Sequence, residues 1–211
     1  MKFIESRKLL TGFAMFALVF AASACNPLAD EKGQEQVQDV EEATKEKVDV
    51  DLLLLMARNA VELSEQGKLE EAIAVYDEFV RRFNKADAGA DILELVVIAQ
   101  ANAAEAALVL GRNQDAVQRA KAVQARLGTS SPGNAIMSFI IWLADEKTPL
   151  QTVQDAIQGT SSDEDAGWNW SFEEVSPLIA KLPDARRKQA ECFVSYFESS
   201  DADSLNACLK Q

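Results

Sequence analysis

The chain has 211 residues, 48% hydrophobic and 26% charged, with no histidine and a formal net charge of −13. That length holds one domain with a sizeable core or a short array of helical repeats. An acidic surface repels phosphate backbones and anionic lipid headgroups, so nucleic acid is excluded as an expected partner, and the missing histidine removes Ser–His and Cys–His nucleophile pairs and the usual zinc sites.

Lys2, Arg7 and Lys8 give a positive N-terminal region, followed by the 13-residue apolar run Leu9–Ala21. This run is too short for a comfortable membrane span and fits the apolar part of a signal peptide. It ends in Ala22-Ser23-Ala24-Cys25. Small residues at 22 and 24 suit a secretory peptidase, and the Cys directly after them makes the stretch resemble a lipobox, although Ala22 stands where Leu is usual. The resemblance implies that residues 1–24 are removed and that Cys25 carries lipid; simple secretion into the periplasm is the alternative. Asn26 resembles the class sorted to the outer membrane, where an Asp would imply retention in the inner one. Without residues 1–24, which hold three of the 21 basic and one of the 34 acidic side chains, the net charge becomes −15. Residues 25–47 are acidic, Gln-rich and poor in large apolar side chains. They cannot bury enough surface to offset their ordering entropy and read as a flexible tether reaching roughly 25–30 Å. A solvated helix over 34–47 is the other reading.

From residue 48 the pattern is helical. Residues 50–66 and 69–83 place Leu53, Met56, Ala57, Ala60 and Leu63, then Ala72, Ile73, Tyr76, Phe79, Val80 and Phe83, at three- and four-residue spacing, with Gly67 at the turn. The skeleton returns 44 residues later: Ala60, Gly67, Ala72, Ile73, Phe79 and Phe83 match Ala104, Gly111, Ala116, Val117, Val123 and Leu127. Small residues let paired helices approach, and Gly permits the tight turn. The strings Ala60-x-x-Leu63-x-x-x-Gly67-x-x-x-x-Ala72-Ile73-x-x-Tyr76 and Ala104-x-x-Ala107-x-x-x-Gly111-x-x-x-x-Ala116-Val117 resemble the tetratricopeptide repeat (TPR) family. The spacing of 44 exceeds that family's 34, which puts an insertion near Asn84–Asp91, and the family's Pro after the second helix is missing. The resemblance spans about 53–127 and implies that the first helix of each pair lines a groove for peptides or partner helices. In that register Arg58 and Asn102 are equivalent, with Glu105 nearby, and these become candidate partner-binding residues; ordinary solvated side chains are the plainer reading.

A third, degenerate pair is expected near 134–145 and 149–158, the second opened by Thr148 as N-cap, Pro149 at the first position and Gln151 reaching back. Residues 159–170 read as a loop, and Ser171-Phe172-Glu173-Glu174 as a capping box that restarts helix, which Pro177 breaks or restarts after Ser176. Trp168 and Trp170 flank the loop and are candidate partner anchors if exposed, or covers for the end of the core. Asp163, Asp165, Asn169, Ser171 and Glu174 have a Ca²⁺-like rhythm, but Trp168 stands where the loop needs Gly, so no metal and no cofactor is expected. Residues 184–199 and 203–210 read as helices about a turn and N-cap at Ser200-Asp201. Cys192 and Cys208 lie eight residues either side of position 200, so folding back brings the thiols level and predicts a disulfide; two buried free thiols are the alternative.

The expected fold is all-α: helical hairpins over 48–130 stacked as a short TPR-like α-solenoid, with an irregular helical bundle over 131–211 packed on them. Acidic side chains are too common to single out a carboxylate catalyst, and no enzyme is expected. The resulting expectation is a lipid-anchored envelope protein, on the outer membrane and facing the periplasm, that binds an envelope protein or peptide in its groove. An inhibitor or immunity-type lipoprotein capping a basic toxin or enzyme is a second reading, and a carboxylate-dependent wall hydrolase a third.

Overall fold

A computed structural model describes residues 49–85, 88–160 and 170–210. The signal-like segment, Cys25, the tether, Trp168 and the loop residues Asp163, Asp165 and Asn169 lie outside them. Among the described residues there are nine helices and no strand. In chain order they are α1 (Val50–Glu65), α2 (Leu69–Phe83), α3 (Ala90–Val109), α4 (Asn113–Gln124), α5 (Pro132–Ala144), α6 (Leu150–Gln158), α7 (Ser176–Ile179), α8 (Asp184–Ser199) and α9 (Ala202–Leu209).

Each helix from α1 to α6 packs on the next, and α3 also packs on α5. The hairpin turns explain the alternation. Gly67 and Gly111 sit in the left-handed region, with φ of 72° and 74°. In each turn the Gly N–H bonds back three residues and the following N–H five, Gly67 to Ser64 and Lys68 to Leu63, then Gly111 to Leu108 and Arg112 to Ala107. This closes the orphan carbonyls of α1 and α3 and reverses the chain within three residues. The 44-residue period arises partly in the connection, since α2 ends at Phe83 and α3 starts at Ala90, and partly in α3 itself, which has 20 residues against 16 in α1.

Alanine sets how closely the helices approach. Ala60, Ala72, Ala101, Ala104, Ala107, Ala116 and Ala120 are all at most 1% exposed, and a larger side chain at such a seam forces shifts costing about 1–3 kcal/mol. α3 is the central helix. It is long and apolar enough to cross a membrane by length and composition, yet it is largely buried within the stack. On the outer side, Arg112 just before α4, Arg119 within it and Arg126 just after it bond to Glu70, Asp77 and Asn84 of α2 and its end, at 2.8, 2.6 and 3.1 Å. The seven-residue rhythm on both sides tracks two helical turns, so the three contacts form one ladder.

The C-terminal part closes around an aromatic cluster. Phe139 of α5 meets Phe172, Phe193 and Phe197 at ring distances of 5.4, 5.6 and 5.7 Å. Arg186 of α8 lies 4.2 Å over the Trp142 ring and donates to the Trp142, Asp145 and Glu146 carbonyls. It thereby caps the end of α5 with a cation, which the helix dipole favours. Cys192 and Cys208 form a disulfide with their Cα atoms 5.8 Å apart, stapling α9 to α8. Asp201 caps α9 by accepting from the Asp203 and Ser204 N–H groups, while Ser200 takes the left-handed conformation.

Two expected helix starts are corrected. Thr148 does not cap α6: its hydroxyl bonds Asp145, Pro149 takes the cap position, and Gln151 pairs with Asp155 within the helix. Asp145 already ends α5 and draws Thr148 into that turn. Nor do Ser171–Glu174 form a capping box opening a helix. Glu173 N–H bonds the Ser171 hydroxyl, but the segment continues as a turn and α7 starts only at Ser176. Glu174 is engaged elsewhere, across the molecule.

Candidate functional site

Glu105 is the single charged residue between Glu94 and Arg112, and it lies in the Ala-rich run of α3. One turn back and one on, Ala101 and Leu108 are buried, as is the adjoining Ala104, so the carboxyl enters the protein with its own helix face. Glu105 is 8% exposed. Three other elements meet it there.

From α2 comes Tyr76, itself buried, whose phenol oxygen accepts from the Asn102 side-chain amide. Asn102 lies one turn before Glu105, so the two polar groups of α3 share one stripe. From the segment ahead of α7 come Trp170, whose indole N–H interacts with the Glu105 carboxyl, and Glu174. α1 contributes Ser64, whose hydroxyl donates to Glu174, and Glu65 alongside. Glu105 Oε1 has no hydrogen-bond partner among the described residues.

The electrostatics follow from this geometry. Burial pushes the Glu105 carboxyl up to about 8, the nearby Glu174 charge adds to the rise, and the Trp170 indole N–H opposes it. Glu174 is raised as well, by burial and then by Glu65, with the Ser64 hydroxyl pulling the other way. Tyr76 is held far above its ordinary range, first by burial and then by Glu174 and Glu105. At neutral pH Glu105 is therefore mostly a neutral acid, able to donate or release a proton.

Of the residues singled out from sequence, the structure brings Asn102, Glu105 and Trp170 to one place. Trp170 is half-buried rather than presented outward. Arg58 stays exposed on α1, with no hydrogen bond or ion pair to this group among the described residues. Tyr76 reads in the sequence as a core and repeat-motif position and Glu174 as a helix-start signal, while Ser64 carries no signal of its own. The visible signal was Glu105 itself, a lone charge in an alanine run. No group of three His, Cys, Asp or Glu side chains suited to hold a metal ion is found among the described residues.

Comparison with protein-family models, with curated proteins and with solved structures returns no match.

Proposed function

We propose that the chain is a lipid-anchored envelope protein that works as an interaction scaffold, holding a partner protein or peptide on the face of its TPR-like hairpins. The observation that carries this reading is the repeated hairpin: two helix pairs 44 residues apart, each turned by a left-handed Gly with the same pair of backbone hydrogen bonds. The first helix of each stacked hairpin can line a surface suited to extended partners; here α3 is largely buried, so the exposed part of that surface lies on α1. α1 offers the apolar part of such a surface, with Leu54 41% and Leu55 64% exposed beside the exposed Arg58. Anchoring through Cys25, on the outer membrane and facing the periplasm, would confine the domain near the bilayer and raise the local concentration of any partner that shares it.

Cross-linking in membranes, with the full chain as bait, tests this. A reproducible partner is expected, with its yield cut about tenfold by the pair L55D and R58E and unchanged by Q118K on α4. Absence of any reproducible partner, or equal yield from the paired variant, overturns the scaffold reading.

A second reading, a carboxylate-dependent wall hydrolase, is favoured by one observation, the raised Glu105 beside Glu174. Such enzymes use one neutral and one ionised carboxyl. Clearing of a peptidoglycan zymogram by the wild type and not by E105Q would support it over the scaffold.

A further inference from the structure

α1 is the first helix of the described stack and packs chiefly on α2. Its inner side holds the buried Leu53, Ala57 and Ala60. The outer side is apolar as well: Val50, Leu54 and Leu55 are 42%, 41% and 64% exposed. A helical stack ordinarily closes with a polar outer face, and exposed apolar side chains gathered on one helix mark a contact surface.

The charges on this face are placed about the leucines. With 3.6 residues per turn, Asp51 and Arg58 lie two turns apart on one line, and Leu54 and Leu55 straddle that line between them. Both charged residues are exposed. Arg58 is the single basic residue of α1 and takes part in no hydrogen bond or ion pair among the described residues, although Glu62 stands one turn on.

We propose that this face of α1 binds the same face of a second copy of the chain, the two helices running antiparallel about a two-fold axis between Leu54 and Leu55. Asp51 and Arg58 are equally far either side of that axis. Asp51 of each copy therefore meets Arg58 of the other, and two ion pairs bracket a cluster of leucines from both chains. A two-fold contact needs a patch that complements itself, and this spacing supplies one. Glu62 then lies at the N-terminal end of the second copy's α1, where the helix dipole favours an anion. A parallel pairing sets Asp51 on Asp51 and Arg58 on Arg58, so charge also selects the direction. Each chain carries −13 overall, but that repulsion is screened beyond roughly 8 Å at physiological ionic strength. The contact is short and buries less than the roughly 800 Å² per partner of a standard interface. The pair therefore forms where copies are concentrated, as on a shared membrane. The proposal rests on the scaffold reading and names what occupies its α1 surface.

The experiment traps the contact in membranes, using the full chain with L55C beside the axis, mild oxidation and a non-reducing gel. The parent chain and Q118C on α4 set the background from the other cysteines. L55C should give a dimer band about fivefold or more above that background, and adding R58D or D51R alone should remove most of it, since each then sets like charges together. R58K keeps the charge and should keep the band. Co-expressing the D51R and R58D chains restores opposite charges at both contacts, and the mixed dimer should return to within about twofold of the L55C level. A band at background in L55C, or one unchanged by R58D, overturns the second copy. So does a mixed dimer as scarce as either variant's own, when circular dichroism shows both chains folded. If L55C stays at background while a different protein cross-links at α1, the second copy fails and the scaffold reading stands; loss of both removes both.

Discussion

At neutral pH Glu105 holds a proton that the unfolded chain would have released, because its surroundings offer burial and a second carboxyl instead of water. The contribution to stability is complete below the ordinary carboxylate range and is lost as pH rises to about 8, where the folded group itself ionises. Urea denaturation of the intact chain should therefore show stability falling between pH 5 and 8 by on the order of a few kcal/mol. E105Q keeps the shape and a neutral polar head, and should remove more than half of that fall. A pH dependence of equal size in both proteins would place its origin elsewhere. Gly67 and Gly111 work by a different means at the same scale. A Cβ at either would meet nothing within 4 Å, so their requirement is the left-handed backbone and not space.

Among the elements, α9 depends most on a single bond. It has 8 residues and one buried side chain, Leu205, too little apolar surface to hold a helix of that length by itself. The Cys192–Cys208 disulfide closes a short loop and spares the folded state part of the entropy of docking α9. Replacing both cysteines by Ala should cost about 2–3 kcal/mol in chemical denaturation. Amide exchange should place the loss first in α9, ahead of α3. Equal protection of α9 with and without the bond would mean that packing alone holds it. α5 is secured in another way, by the guanidinium of Arg186 at its C-terminal carbonyls and over Trp142. The ladder from α2 to α4 is mostly exposed to water. Its ion pairs add little individually and fix the lateral register of the two outer helices more than their stability.

For the whole molecule, charge and anchorage go together. Without residues 1–24 the chain would carry a net charge of −15, which gives it no electrostatic hold on an anionic bilayer. On the lipoprotein reading, lipid on Cys25 is then the attachment. Fractionation of cells expressing C25A should move the protein from the membrane to the soluble fraction and abolish incorporation of labelled fatty acid. Unchanged membrane association of C25A would sink the anchor proposal. The stack itself is built from neighbour contacts, α1 to α6 in order, with the C-terminal helices closing over α5. That order lets the hairpins keep their local form while the later segment reaches back across them.

Local chemistry was readable from the sequence: helix type, the Gly67 and Gly111 turns, the cap at Asp201 and the pairing of Cys192 with Cys208. Each depends on residues within a few turns of one another, so spacing alone carries the information. The Glu105 group was out of reach, because it joins Ser64, Tyr76, Asn102, Glu105, Trp170 and Glu174 from four segments. Burial there depends on which segment crosses the α3 face, and Glu174 and Ser171 carry the same helix-start pattern whether they begin a helix or, as here, lie in the turn ahead of α7. Only the packed chain removes water from a particular carboxyl, and that removal decides its charge.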